Sequence, residues 1–186
     1  MQRCRCTFTL SKFKKSVGTR KIFKISKMGN VKLNFFRDED LQHLNYTLDD
    51  VQKMFTVMPD FALEKIAEKN DGKSFPITIF FEEKPVGFFV LDFGDDKFGL
   101  TENSNAVLLR ALSLNPEFQR KGIAKKSFFL TDEFLKNNFE NCNEIVLAVN
   151  NKNQNAYQLY IKTGYLDEGK TRPFRDGFQH LLFKKI

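Results

Sequence analysis

The chain changes its hydrophobic period several times, and those changes predict its elements. Residues 31–36 (VKLNFF) alternate apolar and polar side chains, the period of a half-buried strand. Arg37-Asp38-Glu39-Asp40 then offers a helix start, with acids where the helix dipole favours them. Short helical stretches are expected near Leu41–Leu44, from Leu48-Asp49-Asp50 through Val51 and Phe55, and over Phe61, Leu63, Ile66 and Ala67. A break is expected at Met58-Pro59-Asp60 and a stop at Asn70-Asp71-Gly72. The period then becomes that of strands. Phe75–Phe81 and Val86–Phe93 read as a hairpin turned at Glu82-Glu83-Lys84-Pro85.

The most informative run is 107–135, VLLRALSLNPEFQRKGIAKKSFFLTDEFL. Its first eight residues are an apolar strand that Asn115-Pro116 stops, since proline cannot donate to a ladder. Gln119 to Ala124 turn into a helix whose apolar positions, Ile123, Phe128, Thr131 and Leu135, approximate one face. A helix start presents free N–H groups and the positive end of a dipole, so it can hold an anion. Gly122 lets a ligand approach the backbone, and Arg120, Lys121, Lys125 and Lys126 add positive charge. Residues 144–149 form a further strand. Ala156, Leu159, Tyr160 and Thr163 then share a helical face that Gly164 ends, and strands follow from Tyr165 and over 178–184. The tally predicts one α/β (α+β) domain with no repeat, centred on the 107–114 strand.

Composition narrows the function classes. The 186 residues suit one domain, and no apolar run reaches the roughly 18 residues of a membrane helix. Three cysteines (Cys4, Cys6 and Cys142) and two histidines make neither a disulfide framework nor a zinc pattern, so a reduced, cytoplasmic setting and no metal are expected. The net charge of +7 belongs to the N-terminus. Residues 1–27 hold nine of the 30 Lys and Arg and none of the 23 acids, which leaves 21 basic and 23 acidic groups in 28–186. The division is therefore a basic extension, 1–27, expected to be disordered, and a catalytic or binding domain, 28–186. The extension reads as a segment upstream of a true start at Met28, as organelle targeting, or as a nucleic-acid or membrane-surface arm.

The order strand, Gln-Arg-Lys-Gly-Ile-Ala, helix, strand, then Asn-x-x-Ala-x-x-Leu-Tyr-x-x-x-Gly-Tyr resembles the GCN5-related N-acetyltransferase (GNAT) superfamily. Gln119, Gly122 and Ala124 match its acetyl-CoA motif. Asn153, Ala156, Leu159, Tyr160 and Gly164 match its last-helix pattern, and Val86-Gly87 matches a turn-back in the hairpin. Ala124 at the second small position and Tyr165 in place of the commoner Phe are mild departures. The resemblance covers roughly 31–186. It implies a GNAT-like mixed, mostly antiparallel sheet flanked by helices, with a splayed central strand pair.

It also implies an acetyl-CoA-dependent N-acetyltransferase, an acyltransferase acting directly on a primary amine of a small molecule or a protein, with no metal, membrane or nucleic-acid partner. Leu112, Ser113 and Leu114 would pair with the pantetheine arm, and Leu112 or its neighbour would hold the oxyanion. The backbone from Gln119 through Arg120, Lys121, Gly122, Ile123 and Ala124 to Lys125 would hold the pyrophosphate. Asn153 would bond the pantetheine, and Tyr160 would protonate the leaving sulfur. Glu102 is the first candidate for the base, ahead of Asp92 and then Glu82 and Glu83. Arg172, Arg175, Asp60 and Glu64 are unassigned charges in the acceptor regions, about 38–70 and 167–178. The alternative is a non-catalytic acyl-CoA-binding domain of the same fold that regulates or serves a partner.

Overall fold

The computed structural model describes residues 30–175 and 177–186; the expectations for residues 1–27 lie outside them. Strands β1 (Val31–Phe35), β2 (Ser74–Phe81), β3 (Lys84–Asp92), β4 (Ala106–Leu114), β5 (Glu144–Asn150), β6 (Leu166–Phe174) and β7 (Gly177–Lys185) form one sheet. Its order is β1-β2-β3-β4-β5-β7-β6, so β4 is its middle strand. Every pairing is antiparallel except β4 with β5.

Helices α1 (Leu41–Leu44), α2 (Asp50–Lys53) and α3 (Pro59–Lys69) cover one face; α4 (Ile123–Asn138) and α5 (Gln154–Lys162) cover the other. Local chemistry explains their limits. Pro59, expected to mark a break, instead opens α3, where its missing N–H costs nothing. Asn70, at φ 44°, closes that helix in the left-handed region. In α4 the buried hydroxyls of Ser127 and Thr131 donate to Ile123 O and Ser127 O, each at 2.9 Å, so neither is stranded under the sheet.

Alternation along β3 and β4 divides the core. Phe89, Leu91, Val107 and Leu109 meet Ile123, Phe128 and Leu135 of α4. Phe88 and Val90 meet Leu44, Tyr46, Leu48 and Ala62 on the other face. Full burial of such side chains contributes about 1.5–3 kcal/mol each. The hairpin turns at Glu82 and Glu83, both at positive φ (49° and 66°), as a two-residue reversal with the twist of its strands requires. Val86 and Gly87 therefore lie inside β3 rather than at a turn-back. Gly87 has a different role: a Cβ there would sit 2.7 Å from Leu114 Cδ1 and 2.9 Å from Ser113 O, so only glycine lets β3 come this close to the end of β4.

Candidate active site

The site begins with an interruption in the sheet. β4 and β5 are in register only at Ala106–Glu144, Val107–Ile145 and Leu108–Val146. Past Leu108 the strands are unpaired, so the far half of β4 turns backbone groups toward a gap. Such an edge accepts an extended partner as an added strand. Ala111, at φ 55°, makes a bulge where the β3 register slips between Phe88 and Val90. The bulge resets the alternation. Arg110 and Ala111 both serve the α1–α3 face, Ser113 follows them there, and Leu112 and Leu114 face α4 and α5.

At the end of this strand, the turn into α4 leaves donors open. Gly122 is the N-cap, in the left-handed region at φ 75°, and no side chain caps the helix. The first helical donor is Lys126 N–H, to Gly122 O at 3.0 Å, so the N–H groups of Ile123, Ala124 and Lys125 point out of the helix. Arg120, at φ 60°, bends the chain just before, and the first turn contains no acid. Exposed Arg120, Lys121 and Lys125 surround these donors. Gln119 differs from its neighbours. Its N–H donates to Pro116 O (3.2 Å), and its amide nitrogen donates to Leu114 O (2.9 Å) and Gln52 Oε1 (3.2 Å). Gln119 thus shapes the loop and ties it to α2.

Asn153 caps α5 by accepting from Ala156 N–H at 3.2 Å, which leaves its side-chain nitrogen available. Tyr160 is buried between Phe128 and Tyr165, with ring centroids 5.1 and 5.6 Å away. Its hydroxyl has no hydrogen-bond partner among the described residues, and burial raises its pKa above the ordinary phenol value. It is a proton-bearing group with an open valence.

The opposite face of β4 holds another buried phenol, which sequence reasoning missed. Tyr46, in the loop after α1, shares a 2.8 Å hydrogen bond with the Ser113 hydroxyl. Burial pushes the Tyr46 pKa up to about 12, against the lowering effect of the Ser113 bond. The two residues are 67 positions apart, and no spacing rule links them.

The candidate bases do not join this group. Glu102 is exposed, before the start of β4, on the rim of a depression of about 570 Å³ that Val146, Leu181 and Phe183 also line. Six residues of extended chain, roughly 20 Å, separate Ala106 from Leu112. Asp92 is fully buried and already paired, with Arg110 Nη2 at 2.7 Å and Lys69 Nζ at 3.7 Å. Glu82 and Glu83 form the hairpin turn, and Glu83 pairs with Lys32. His180 lies 3.2 Å from Asp167, which also accepts from the Tyr157 hydroxyl (2.9 Å); this cluster joins α5 to β6 and β7. Among the described residues no side chains cluster as metal ligands, and no helix is long and apolar enough to cross a membrane.

Comparison with known proteins gives this geometry a family. The Acetyltransferase (GNAT) family matches residues 39–165. A Bacillus subtilis (strain 168) protein named as an uncharacterized N-acetyltransferase, YbbJ, is 37% identical over 145 residues, 77% of this chain and 89% of that one. Aminoglycoside acetyltransferase AAC(6')-Ib in complex with coenzyme A superposes with a TM-score of 0.66 at 18% identity, covering 84% of this chain and 95% of its own. Spermidine N-acetyltransferase from Vibrio cholerae, in complex with CoA and spermine, gives 0.59 at 18% identity, with 83% and 95% covered. At such identities these two structures establish a shared fold. With a family match over more than half its length and a relative this similar, the chain belongs to the GNAT family of acetyltransferases; it is an N-acetyltransferase.

Proposed function

We propose that the protein transfers the acetyl group directly to a primary amine in the gap between β4 and β5. The observation that carries this reading is the combination of an unpaired β4 edge with an uncapped α4 start at its end. The residues present fit the donor: an extended arm can pair with Leu112–Leu114, and a pyrophosphate can accept from Ile123, Ala124 and Lys125 N–H. Acetyl-CoA supplies the activated thioester. Asn153 has a free amide nitrogen to orient the arm, and a backbone N–H at Leu112 or beside it would stabilise the charge that develops on the carbonyl oxygen. Tyr160, held protonated by burial, gives its proton to the leaving sulfur.

Glu102 stands before β4 on the rim of the depression, and Asp92 is paired with Arg110 and Lys69, so neither is assigned the amine proton. That proton goes to water, and the acceptor reacts as the neutral amine. The non-catalytic alternative draws no support from the relatives, which are named as acetyltransferases.

The test is a thermal-shift titration with acetyl-CoA on the wild type and Tyr160→Phe, followed by thiol release with a panel of amines. Both proteins should gain stability from the ligand. Only the wild type should release CoA at a substantial rate. Absence of any shift would overturn donor binding, and equal turnover by the two proteins would overturn the role of Tyr160.

A further inference from the structure

Four charges in the acceptor regions have no role in the chemistry above: Asp60, Glu64, Arg172 and Arg175. Their sequence positions permit a site of either sign. The structure separates them. Asp60 and Glu64 stand two residues to either side of Ala62, the α3 residue buried against the sheet, so each projects about 200° around the helix from it. Both are exposed, and Asp60 accepts from Phe61 N–H at 2.8 Å. These acids face away from the sheet.

The arginines do the opposite. Arg172 is in register with Gln179 on β7, and Gln179 with Asn150 on β5. Asn150 has the same parity as Val146, which packs on the face away from α4 and α5. The row Asn150–Gln179–Arg172 therefore crosses the open face at the end of β5 that β4 leaves unpaired. Gln179 Oε1 accepts from Arg172 Nε at 2.8 Å and fixes the guanidinium. A Cβ on Gly99 would lie 3.6 Å from Arg172 Nη1, so the side chain runs back over the sheet toward the segment that precedes β4. Arg175, in the β6–β7 turn, donates from Nη1 to Met54 O at 3.3 Å and joins that turn to the chain after α2. No carboxylate among the described residues pairs with either guanidinium. Arg110, by contrast, is neutralised by Asp92 and Asp96.

A guanidinium oriented through Nε, partly buried and without a carboxylate partner among the described residues keeps its outer N–H groups for a bidentate oxyanion. The geometry points to an amine acceptor that also carries a carboxylate, which Arg172 binds while Arg175 adds positive charge at the rim. This inference rests on the acetyltransferase reading and names the class of its acceptor. It sets the site apart from one built for polycations, because a second ammonium group would face Arg172 at close range.

The experiment compares 5-aminopentanoate, pentylamine and 1,5-diaminopentane, which share one reacting amine and differ in distal charge. L-amino acids and short peptides are run beside their methyl esters, to distinguish a free amino acid from a peptide as the source of the carboxylate. The full chain is assayed by thiol release. Carboxylates should exceed their neutral and cationic counterparts in kcat/KM by tenfold or more. Arg172→Gln should bring that ratio toward one through KM, while its acetyl-CoA thermal shift shows that it has folded. Arg172→Glu should turn the preference toward 1,5-diaminopentane. Turnover of neutral or cationic amines in preference to every carboxylate, or an Arg172→Gln loss equal for acid and ester, overturns the proposal and leaves the acetyltransferase reading intact. The absence of turnover of any carboxylate-bearing amine also overturns it. If acetyl-CoA gives neither shift nor turnover, both readings fall, and the thermal titration identifies that case.

Discussion

Tyr160 and Tyr46 are buried phenols on opposite faces of the sheet, and their hydroxyls differ in what they meet. Tyr160, on the α4–α5 face, is packed by Phe128 and Tyr165 and has a hydroxyl with no hydrogen-bond partner among the described residues. Tyr46, on the α1–α3 face, has its hydroxyl bonded to Ser113. Burial raises both pKa values, so titration alone would not tell them apart. The partner does. The Tyr46 hydroxyl anchors a loop to a strand, whereas the Tyr160 hydroxyl, without a partner among the described residues, is the proton donor we propose.

The largest test of this contrast is Tyr160→Phe, which keeps the ring and removes the proton. We expect kcat to fall roughly 10²-fold or more, with KM for acetyl-CoA little changed. A fall confined to KM would assign Tyr160 to binding. Next in size is Gly122→Val, which acts on the same face through the backbone. A left-handed residue with a Cβ costs about 1–2 kcal/mol, and here the side chain would also crowd the open N–H groups. KM for acetyl-CoA should rise about tenfold, and an unchanged KM would detach the α4 start from the donor.

Tyr46→Phe should act mainly on stability. It strands the buried Ser113 hydroxyl, at a cost of about 1–3 kcal/mol, and should lower the melting temperature with a smaller effect on kcat than Tyr160→Phe. Equal losses of kcat would remove the distinction between the phenols. The smallest effect is a pH dependence. The raised pKa of Tyr46 favours the neutral phenol in the folded state, so its contribution is complete below pH 10 and is lost as pH rises toward about 12. The melting-temperature gap between wild type and Tyr46→Phe should therefore narrow above pH 10. A constant gap would mean that Tyr46 titrates alike in both states.

The faces also differ in how much of them the chain announced. The α4 start was legible because Gln119 to Ala124 are contiguous and local chemistry controls them: glycine for the left-handed cap, then small and apolar residues in helical period. The α5 face was legible at Ala156, Leu159, Tyr160 and Thr163 for the same reason, and Tyr160 and Thr163 are buried as that period requires. The other face depends on pairs distant in sequence. Ser113 with Tyr46, Gln119 with Gln52 and Arg175 with Met54 are 67, 67 and 121 residues apart, and no local pattern encodes them. Glu102 drew attention as an acid near β4, but sequence does not say which end of a strand carries the gap.

By itself, the sequence determined the element order, the middle strand, the anion-ready turn and the helix that carries Tyr160, because backbone propensity and burial period act over a few residues. Tertiary structure alone decided where β4 leaves β5, that Ala111 resets the alternation, that Asp92 is already paired, and that Arg172 faces the open side while Asp60 and Glu64 face away. Each of these depends on register between strands or on how a helix is rotated against the sheet. Those are set by the packing of the whole core, in which a shift of one residue moves a side chain to the opposite face.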